Sequence, residues 1–209
     1  VEIASHATTI VPLAVGVNAL FVVLYIFLAR ITGIVPALIL SIASWGFVAY
    51  LMAMSQLSNF IISIAGYLAL VLISYYLLEK RFSIKSHGKK ILKYTISQLA
   101  FRSFIGGSLI FLAVLMAKIG GPLIGGIFSS FPALTVALIV ITYMVHRDKS
   151  YIEAILKNFI ITGTISAVIF VIVVRYSYPA FGLITGTILS LAISMAVSYF
   201  GYKLIIKKM

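Results

Sequence analysis

The long apolar runs of this sequence contain no acidic residue, and that limits both its fold and its chemistry. Of four acidic residues in 209, Glu2 is terminal, and Glu79, Asp148 and Glu153 lie in or beside polar segments. Hydrophobic residues make up 63% of the chain and charged residues 10%, whereas a soluble domain is about 25% charged. The runs are long enough for helices of about 20 residues that cross a bilayer. We therefore expect an all-α, polytopic transmembrane helix bundle, multi-pass in the cell membrane.

The apolar runs predict about seven membrane spans. Charged or polar residues bound them, and they cover residues 7–29, 31–54, 58–78, 96–117, 122–145, 159–175 and 180–202, with a polar loop over 146–158. Since the first connection is tight and the sixth run is short, a re-entrant pair in place of two full spans is the alternative. The expected organisation is a three-helix N-terminal membrane unit (1–78), a basic cytoplasmic loop (79–93) and a four-helix C-terminal membrane unit (94–209).

The distribution of Lys and Arg predicts the orientation. With seven spans, Arg30, the loop 79–93, the segment 147–157 and the C-terminal lysines all fall on one side. Cytoplasmic loops are enriched in Lys and Arg, so we expect the N-terminus outside and the C-terminus inside. The same distribution accounts for most of the formal charge of +12. It predicts membrane lipids as partners, with anionic headgroups at the cytoplasmic face, and no nucleic acid.

Two segments of similar sequence suggest an internal repeat. Residues 29–33 read Ala-Arg-Ile-Thr-Gly and residues 117–121 read Ala-Lys-Ile-Gly-Gly, and a span containing a proline, Pro36 or Pro132, follows each. Chance similarity in so apolar a chain is the alternative. A true repeat would start its two units on opposite sides of the membrane, because three spans separate them. Transporters use opposed repeats, with the binding site near the midplane at the repeat interface.

The segment 119–135, IGGPLIGGIFSSFPALT, is the densest cluster of small and polar residues within a predicted span. It contains Gly125, Ser129, Ser130 and Pro132. Proline removes a backbone donor and clashes with the preceding helical turn, so we expect a kink near Ser129. A helix broken there leaves free N–H groups, at which an anion can bind.

A packing role is the alternative for the glycines of this segment. Gly121 and Gly125 form a small-xxx-small pair, as do Gly182 and Gly186 in the last span. Such pairs let helices approach closely. The packing role and a binding site or hinge are compatible.

Two polar side chains inside other spans extend the candidate site. Arg102, in the first turns of the fourth span, either faces a wet cavity and binds an anionic group or extends to the cytoplasmic surface. Asn18, in the middle of the first span, either bonds to a neighbouring helix or lines a polar path, and the hydroxyls of Thr162, Thr164 and Ser166 present the same choice. The candidate substrate path comprises Arg102, Gly125, Ser129, Ser130, Pro132 and Asn18.

The residues that are missing exclude several classes of function. The chain has no cysteine, and His6, His87 and His146 are terminal or in predicted loops. Proton-coupled carriers generally use a titratable residue within the membrane, and the predicted spans contain no Asp, Glu or His. We therefore predict no catalytic, cofactor-binding or metal-binding residue, and we do not expect an enzyme.

The C-terminal half resembles a known family. FRSFIGGSLIFLAVLMAKIGGPLIGGIFSSFPALT (Phe101 to Thr135) and VRYSYPAFGLITGT (Val174 to Thr187) are similar to the GlpM-like group, an uncharacterised family of small polytopic membrane proteins. The resemblance spans roughly residues 101–199. It implies a four-helix unit and brings no established activity, substrate or catalytic residue.

Two functions remain open. The first is a small uncoupled transporter of an anionic or phosphate-bearing solute, acting alone or as a homodimer. The second is a non-catalytic structural subunit of a larger membrane complex, with other membrane subunits as partners. A midplane cavity lined by Ser129 and Asn18 would favour the transporter, and a solid core in contact with foreign helices would favour the subunit.

Overall fold

The described part of the chain is almost entirely helical. A computed structural model describes residues 7–84 and 95–206, and these residues contain no strand. The helices are α1 (Val11–Thr32), α2 (Ile34–Ser55), α3 (Phe60–Tyr76) with a π-helical turn (Leu77–Arg81), α4 (Ile96–Ser129), α5 (Ala133–His146) and α6 (Lys149–Ile206). By length and composition, four of the described helices could cross a membrane. The number of candidate spans rises to five if the bent pair α4–α5 is counted as one span. The predicted all-α class is confirmed for the described residues, and the apolar helices support a membrane protein. Most of the predicted basic loop, residues 85–93, lies outside the described residues.

Helix α1 is the centre of the bundle. It packs against α2, α3, α4 and α6, and most of its apolar stretch is buried, whereas α2 and α3 leave most of theirs exposed. Glycines allow the close contact between α1 and α3: a Cβ on Gly16 would lie 3.0 Å from Tyr67 Cα, and one on Gly66 would lie 2.6 Å from Leu13 Cδ1. The backbone N–H of Leu13 also donates to Ser63 Oγ at 3.0 Å. Through these contacts, α1 and α3 pack against each other as parallel helices.

The long helix α6 reverses at Gly182. It covers 58 residues, and a straight helix of that length would extend about 87 Å. Instead, Ser166 Oγ donates to the Ser194 carbonyl at 3.4 Å, across 28 residues, and the Tyr178 and Thr187 hydroxyls lie 2.8 Å apart. Two antiparallel arms, 149–181 and 183–206, therefore meet at a one-residue turn. Gly182 has φ 75° and ψ 177°, a conformation that essentially only glycine adopts.

The same glycine turn occurs twice more. Gly33, between α1 and α2, has φ 93° and ψ 175°. Gly121, inside α4, has φ 83° and ψ 179°. A Cβ on Gly125 would overlap Ala117, which is possible only because α4 folds back at Gly121. The two glycines of each predicted pair thus differ in role, with Gly121 and Gly182 forming the turns and Gly125 lying where the arms approach.

The polar loop predicted over residues 146–158 is wrong, because α6 already begins at Lys149. Tyr151, Ile152 and Leu156 are buried on one side of this first part of the helix. Its charged residues have partners, since Glu153 pairs with Arg30 and Lys157 with Glu79. A segment that is polar in composition is therefore helical, because its apolar side is covered and its charges are paired.

Charged residues from three parts of the chain meet at one end of the bundle, which we call the basic end. Arg30 holds Glu153 with two bonds, Nε–Oε1 at 2.9 Å and Nη2–Oε2 at 2.6 Å. Lys157 Nζ donates to the Ile84 carbonyl at 2.7 Å, and Lys149 Nζ to the Ala29 carbonyl at 3.1 Å. The residues predicted to share one side of the membrane, Arg30, 79–84 and 149–157, are thus together.

Arg175 marks the opposite end. Its Nη1 donates to the hydroxyls of Thr8 at 3.3 Å and Thr9 at 3.1 Å. Its guanidinium carbon lies 4.5 Å from the centre of the Phe60 ring. Residues that precede α1, begin α3 and lie near the end of the first arm of α6 thus meet here, away from the basic end.

Candidate functional site

Helices α4 and α5 are separated by a break at residues 130–132. The segments Val114–Ser129, which includes the Gly121 turn, and Ala133–Met144 differ in direction by 42°. Pro132 cannot donate a backbone hydrogen bond, and α4 ends before it at Ser129. The hydroxyls of Ser129 and Ser130 donate to the Gly126 carbonyl at 2.7 and 3.2 Å, which closes the end of α4. The kink predicted near Ser129 is confirmed.

Asn18 joins this break to two other helices. Its Nδ2 donates to the Ser130 carbonyl at 2.6 Å, and its Oδ1 accepts from Trp45 Nε1 at 2.9 Å. Ser130 lies between α4 and α5, so its carbonyl is outside regular helical bonding. Because Ser130 is buried and a buried carbonyl without a partner costs free energy, the Asn18 amide satisfies a group that the helix break leaves without a helical bond.

Aromatic contacts also stabilise the break between α4 and α5. Trp45 is 5% exposed, and its ring meets the Phe131 ring edge-on, with centres 5.0 Å apart and planes at 86°. A second edge contact joins Trp45 to Phe128 at 6.5 Å. Asn18 from α1 and Trp45 from α2 thus fix the position of the break.

A cavity of about 790 Å³ lies beside the break, and we call it the central cavity. Its volume is in the range of pockets that bind small molecules, about 300–1,000 Å³. Helix α1, the break, α5 and both arms of α6 contribute to the wall, so both predicted membrane units do. The polar lining residues are Asn18, Ser129, Ser130, Thr135, Thr162, Thr164, Ser166, Ser194 and Ser198, and the aromatic ones are Phe131, Phe159 and Phe170.

The central cavity brings together four of the six predicted site residues. Asn18, Ser129, Ser130 and Pro132 all line it. Gly125 packs against Ala117 across the α4 turn instead. Arg102 belongs to α4, but its side chain lies outside the described residues, so its predicted role stays a prediction.

Sequence reasoning did not identify the aromatic part of the wall. One signal was present, the pair Phe159 and Gly163 one helical turn apart. A Cβ on Gly163 would lie 2.9 Å from Phe159 Cε2, so the glycine lets the phenyl ring lie along α6. Without the partner helices, this spacing cannot be distinguished from ordinary packing.

The described wall of the central cavity carries no ionisable side chain. Glu79 and Glu153 are engaged at the basic end. Within residues 7–84 and 95–206, no group of three or more His, Cys, Asp or Glu is placed to hold a metal ion. Recognition at the described wall therefore depends on hydroxyls, one amide and aromatic rings.

Comparison with known proteins gives a family and no function. A family model described as "Protein of unknown function (DUF3147)" matches residues 98–206, which is about half of the chain. No curated protein and no solved structure matches the sequence. The match includes the segment that carries the GlpM-like resemblance, but these comparisons do not support that name.

Proposed function

For a chain that belongs to the DUF3147 family of proteins of unknown function, we propose a role as a small uncoupled membrane transporter whose solute binds in the central cavity. The observation that supports this proposal is a cavity of about 790 Å³ beside a helix break and lined by Asn18 and Ser129. Irregular backbone at membrane depth is tolerated where it is buried in protein or lines a cavity. Transporter sites are typically built at such discontinuous helices.

The proposed topology has seven passes. The turns at Gly33, Gly121 and Gly182 each reverse the chain within one residue, which adds passes to those counted from helix length alone. The passes are α1, α2, α3 with its π-helical turn, the first arm of α4, the second arm of α4 with α5, and the two arms of α6. In this arrangement the break at Pro132 lies within the fifth pass.

We propose that the basic end faces the cytoplasm. Arg30, Lys149 and Lys157 lie there, and Lys and Arg are enriched on the cytoplasmic side of membrane proteins. The N-terminus is then outside and the C-terminus inside, in the cell membrane. Anionic lipid headgroups at the cytoplasmic face are the expected lipid partners of the basic end.

The break is the element that would let the cavity change its access. Asn18 fixes the Ser130 carbonyl, and Pro132 prevents the two helices from becoming one. A local change of direction at residues 130–132 would move α5 against α1 and α6, which both contribute to the wall. Hinges of this kind involve a few residues at helix ends.

The charge of the solute is a separate part of the proposal. An anionic or phosphate-bearing solute was predicted from Arg102 and from the free N–H groups of a broken helix. That prediction requires the Arg102 guanidinium to reach the solute path. Replacing Arg102 with Ala should then reduce the flux of an anionic solute.

A structural subunit is the competing function. It requires a solid core and extensive contact with foreign helices, and the central cavity supports the transporter over it. Native mass spectrometry after extraction in mild detergent distinguishes the two. A monomer or homodimer supports the transporter, whereas constant association with other chains supports the subunit.

Flux into proteoliposomes tests the proposed function. The solutes offered are inorganic phosphate, an organic phosphate, a carboxylate, a primary amine and a neutral polyol. Ala167→Phe fills part of the wall of the central cavity, and Ala192→Phe is its control on the exposed surface of α6. We expect Ala167→Phe and Pro132→Ala to reduce the flux of the transported solute, and Ala192→Phe to leave it unchanged. Equal flux in Ala167→Phe and Ala192→Phe, or no flux of any solute, would refute the proposal.

A further inference from the structure

Most hydroxyl groups around the central cavity already donate a hydrogen bond to a backbone carbonyl. Thr162 Oγ1 donates to the Asn158 carbonyl at 3.0 Å, Thr164 Oγ1 to the Ile160 carbonyl, and Ser194 Oγ to the Leu191 carbonyl at 3.1 Å. Ser129 and Ser130 donate to Gly126 in the same way. A carbonyl oxygen can only accept, so in each pair the hydroxyl is the donor. What these side chains can still offer a ligand is oxygen lone pairs.

Two further polar groups follow the same pattern. The hydroxyls of Tyr67 and Thr164 lie 3.3 Å apart. Because Thr164 already donates to Ile160, Tyr67 is the donor in this contact. Asn18 uses one amide hydrogen on the Ser130 carbonyl and its oxygen on Trp45, which leaves a single N–H. Among the side chains of the described wall, oxygen acceptors therefore outnumber free donors.

Three phenyl rings complete this wall, those of Phe131, Phe159 and Phe170. The edge contact with Trp45 fixes the orientation of the Phe131 ring, and Gly163 makes room for the Phe159 ring. The face of an aromatic ring carries negative potential and attracts a cation positioned over it within about 6 Å. The rings and the lone pairs thus favour the same kind of ligand.

We propose that the group bound in the central cavity is a protonated amine on a small apolar body. This inference rests on the proposed function and names the substrate class of the same site. An ammonium group donates several hydrogen bonds to the hydroxyl oxygens, and its hydrocarbon part contacts the phenyl rings. A carboxylate or phosphate would face oxygen lone pairs at the same place. The prediction from Arg102 gives the opposite charge, so the two can be separated by experiment.

Trp45 provides the measurement. It is the single tryptophan of the chain, and it contacts two lining residues, Asn18 and Phe131. The purified protein in nanodiscs is titrated with n-butylammonium, butyrate, butyl phosphate and butanol, which share one apolar body. We expect a saturable change in Trp45 fluorescence with n-butylammonium, and no saturable change with butyrate or butyl phosphate.

Replacing single hydroxyls tests the role of the acceptors. Thr162→Val and Thr164→Val keep the shape and remove one oxygen each. We expect each to weaken n-butylammonium binding by about ten-fold, since a hydrogen bond to a charged group contributes about 1.5–3 kcal/mol. Thr185→Val, on the exposed surface of α6, is the matched control and should bind like the wild type.

Each other result overturns the inference. Saturable binding of butyrate or butyl phosphate without n-butylammonium would show an anion site. Equal n-butylammonium affinity in the wild type, Thr162→Val and Thr164→Val would show that the hydroxyl oxygens are not acceptors for it. If no probe changes Trp45 fluorescence while flux of another solute is blocked by Ala167→Phe, the substrate class is wrong and the proposed function holds. If no solute shows flux either, the substrate class and the proposed function are both wrong.

Discussion

Replacing Asn18 with Leu should destabilise the fold at the break between α4 and α5. The amide bridges three helical segments, with bonds of 2.6 Å to the Ser130 carbonyl and 2.9 Å from Trp45 Nε1. Leu has a similar volume, so the change removes polar atoms and leaves little empty space. The indole N–H and the Ser130 carbonyl then lose their partner together.

The magnitude follows from these two groups. Hydrogen bonds between helices in membranes contribute on average about 0.6 kcal/mol each, which gives a lower value of about 1.2 kcal/mol for two bonds. A buried group left without a partner costs about 1–3 kcal/mol. We therefore expect Asn18→Leu to lower the free energy of unfolding by about 1–6 kcal/mol. The Trp45→Phe variant removes one of the two bonds together with part of a buried ring, so it is used to test coupling with Asn18 in the double variant.

Unfolding in mixed SDS and mild detergent micelles, followed by circular dichroism, measures this change. Asn158→Leu is the control, because Asn158 Oδ1 is buried and has no hydrogen-bond partner among the described residues. Removing an unsatisfied acceptor is neutral or stabilising. The reasoning is refuted if Asn18→Leu is no more destabilising than Asn158→Leu. It is also refuted if the effects of Asn18→Leu and Trp45→Phe add in the double variant, because two residues joined by a hydrogen bond should show a coupling energy.

Two further predictions concern the turns and the basic end. Gly182→Ala should destabilise the fold by about 1–3 kcal/mol, because the backbone conformation of Gly182 is essentially restricted to glycine. Gly46 is exposed in α2 with open space for a Cβ, so Gly46→Ala should stabilise by up to about 1 kcal/mol. Equal effects of the two changes in the same unfolding assay would contradict this prediction. Lys157→Met should destabilise by about 1–3 kcal/mol through loss of its bond to the Ile84 carbonyl. The effect should exceed that of Arg30→Lys, because the Arg30 side chain is 40% exposed and that of Lys157 only 6%. Limited proteolysis of Lys157→Met should then cleave near residue 84 sooner.

The break could be predicted from the sequence because its cause is local. Pro132 interrupts the helical bonding of any apolar span that contains it, and Ser129 and Ser130 supply the hydroxyls that close the preceding helix. Asn18 was noticeable as a lone amide in an apolar run. Its partners were not predictable, since Trp45 and Ser130 are 27 and 112 residues away along the chain.

The start of α6 shows the limit of reading composition alone. Residues 149–158 contain two Lys and one Glu and were expected to form a loop. Their charges are stable in a helix because Arg30 and Glu79 supply opposite charges at the same end of the bundle. Those partners are brought close by the packing of α1 and α3, which sequence periodicity does not reveal. The wall of hydroxyl acceptors has the same origin, because it needs both arms of α6 and α1 in place.

The repeat predicted from residues 29–33 and 117–121 stays a prediction, since Gly182, which lies in neither segment, forms the same turn. Gly33 and Gly121 end the two segments with nearly the same backbone angles. Arg30, beside Gly33, lies at the basic end, whereas Gly120 and Pro122, beside Gly121, share a cavity of about 560 Å³ with Arg175 at the opposite end. The two turns therefore point to opposite ends of α1, as an opposed repeat requires. Both α1 and the break that follows Gly121 line the central cavity. In the proposed transporter with opposed repeats, the cavity would therefore lie where the two units meet, which is where such transporters bind their solute.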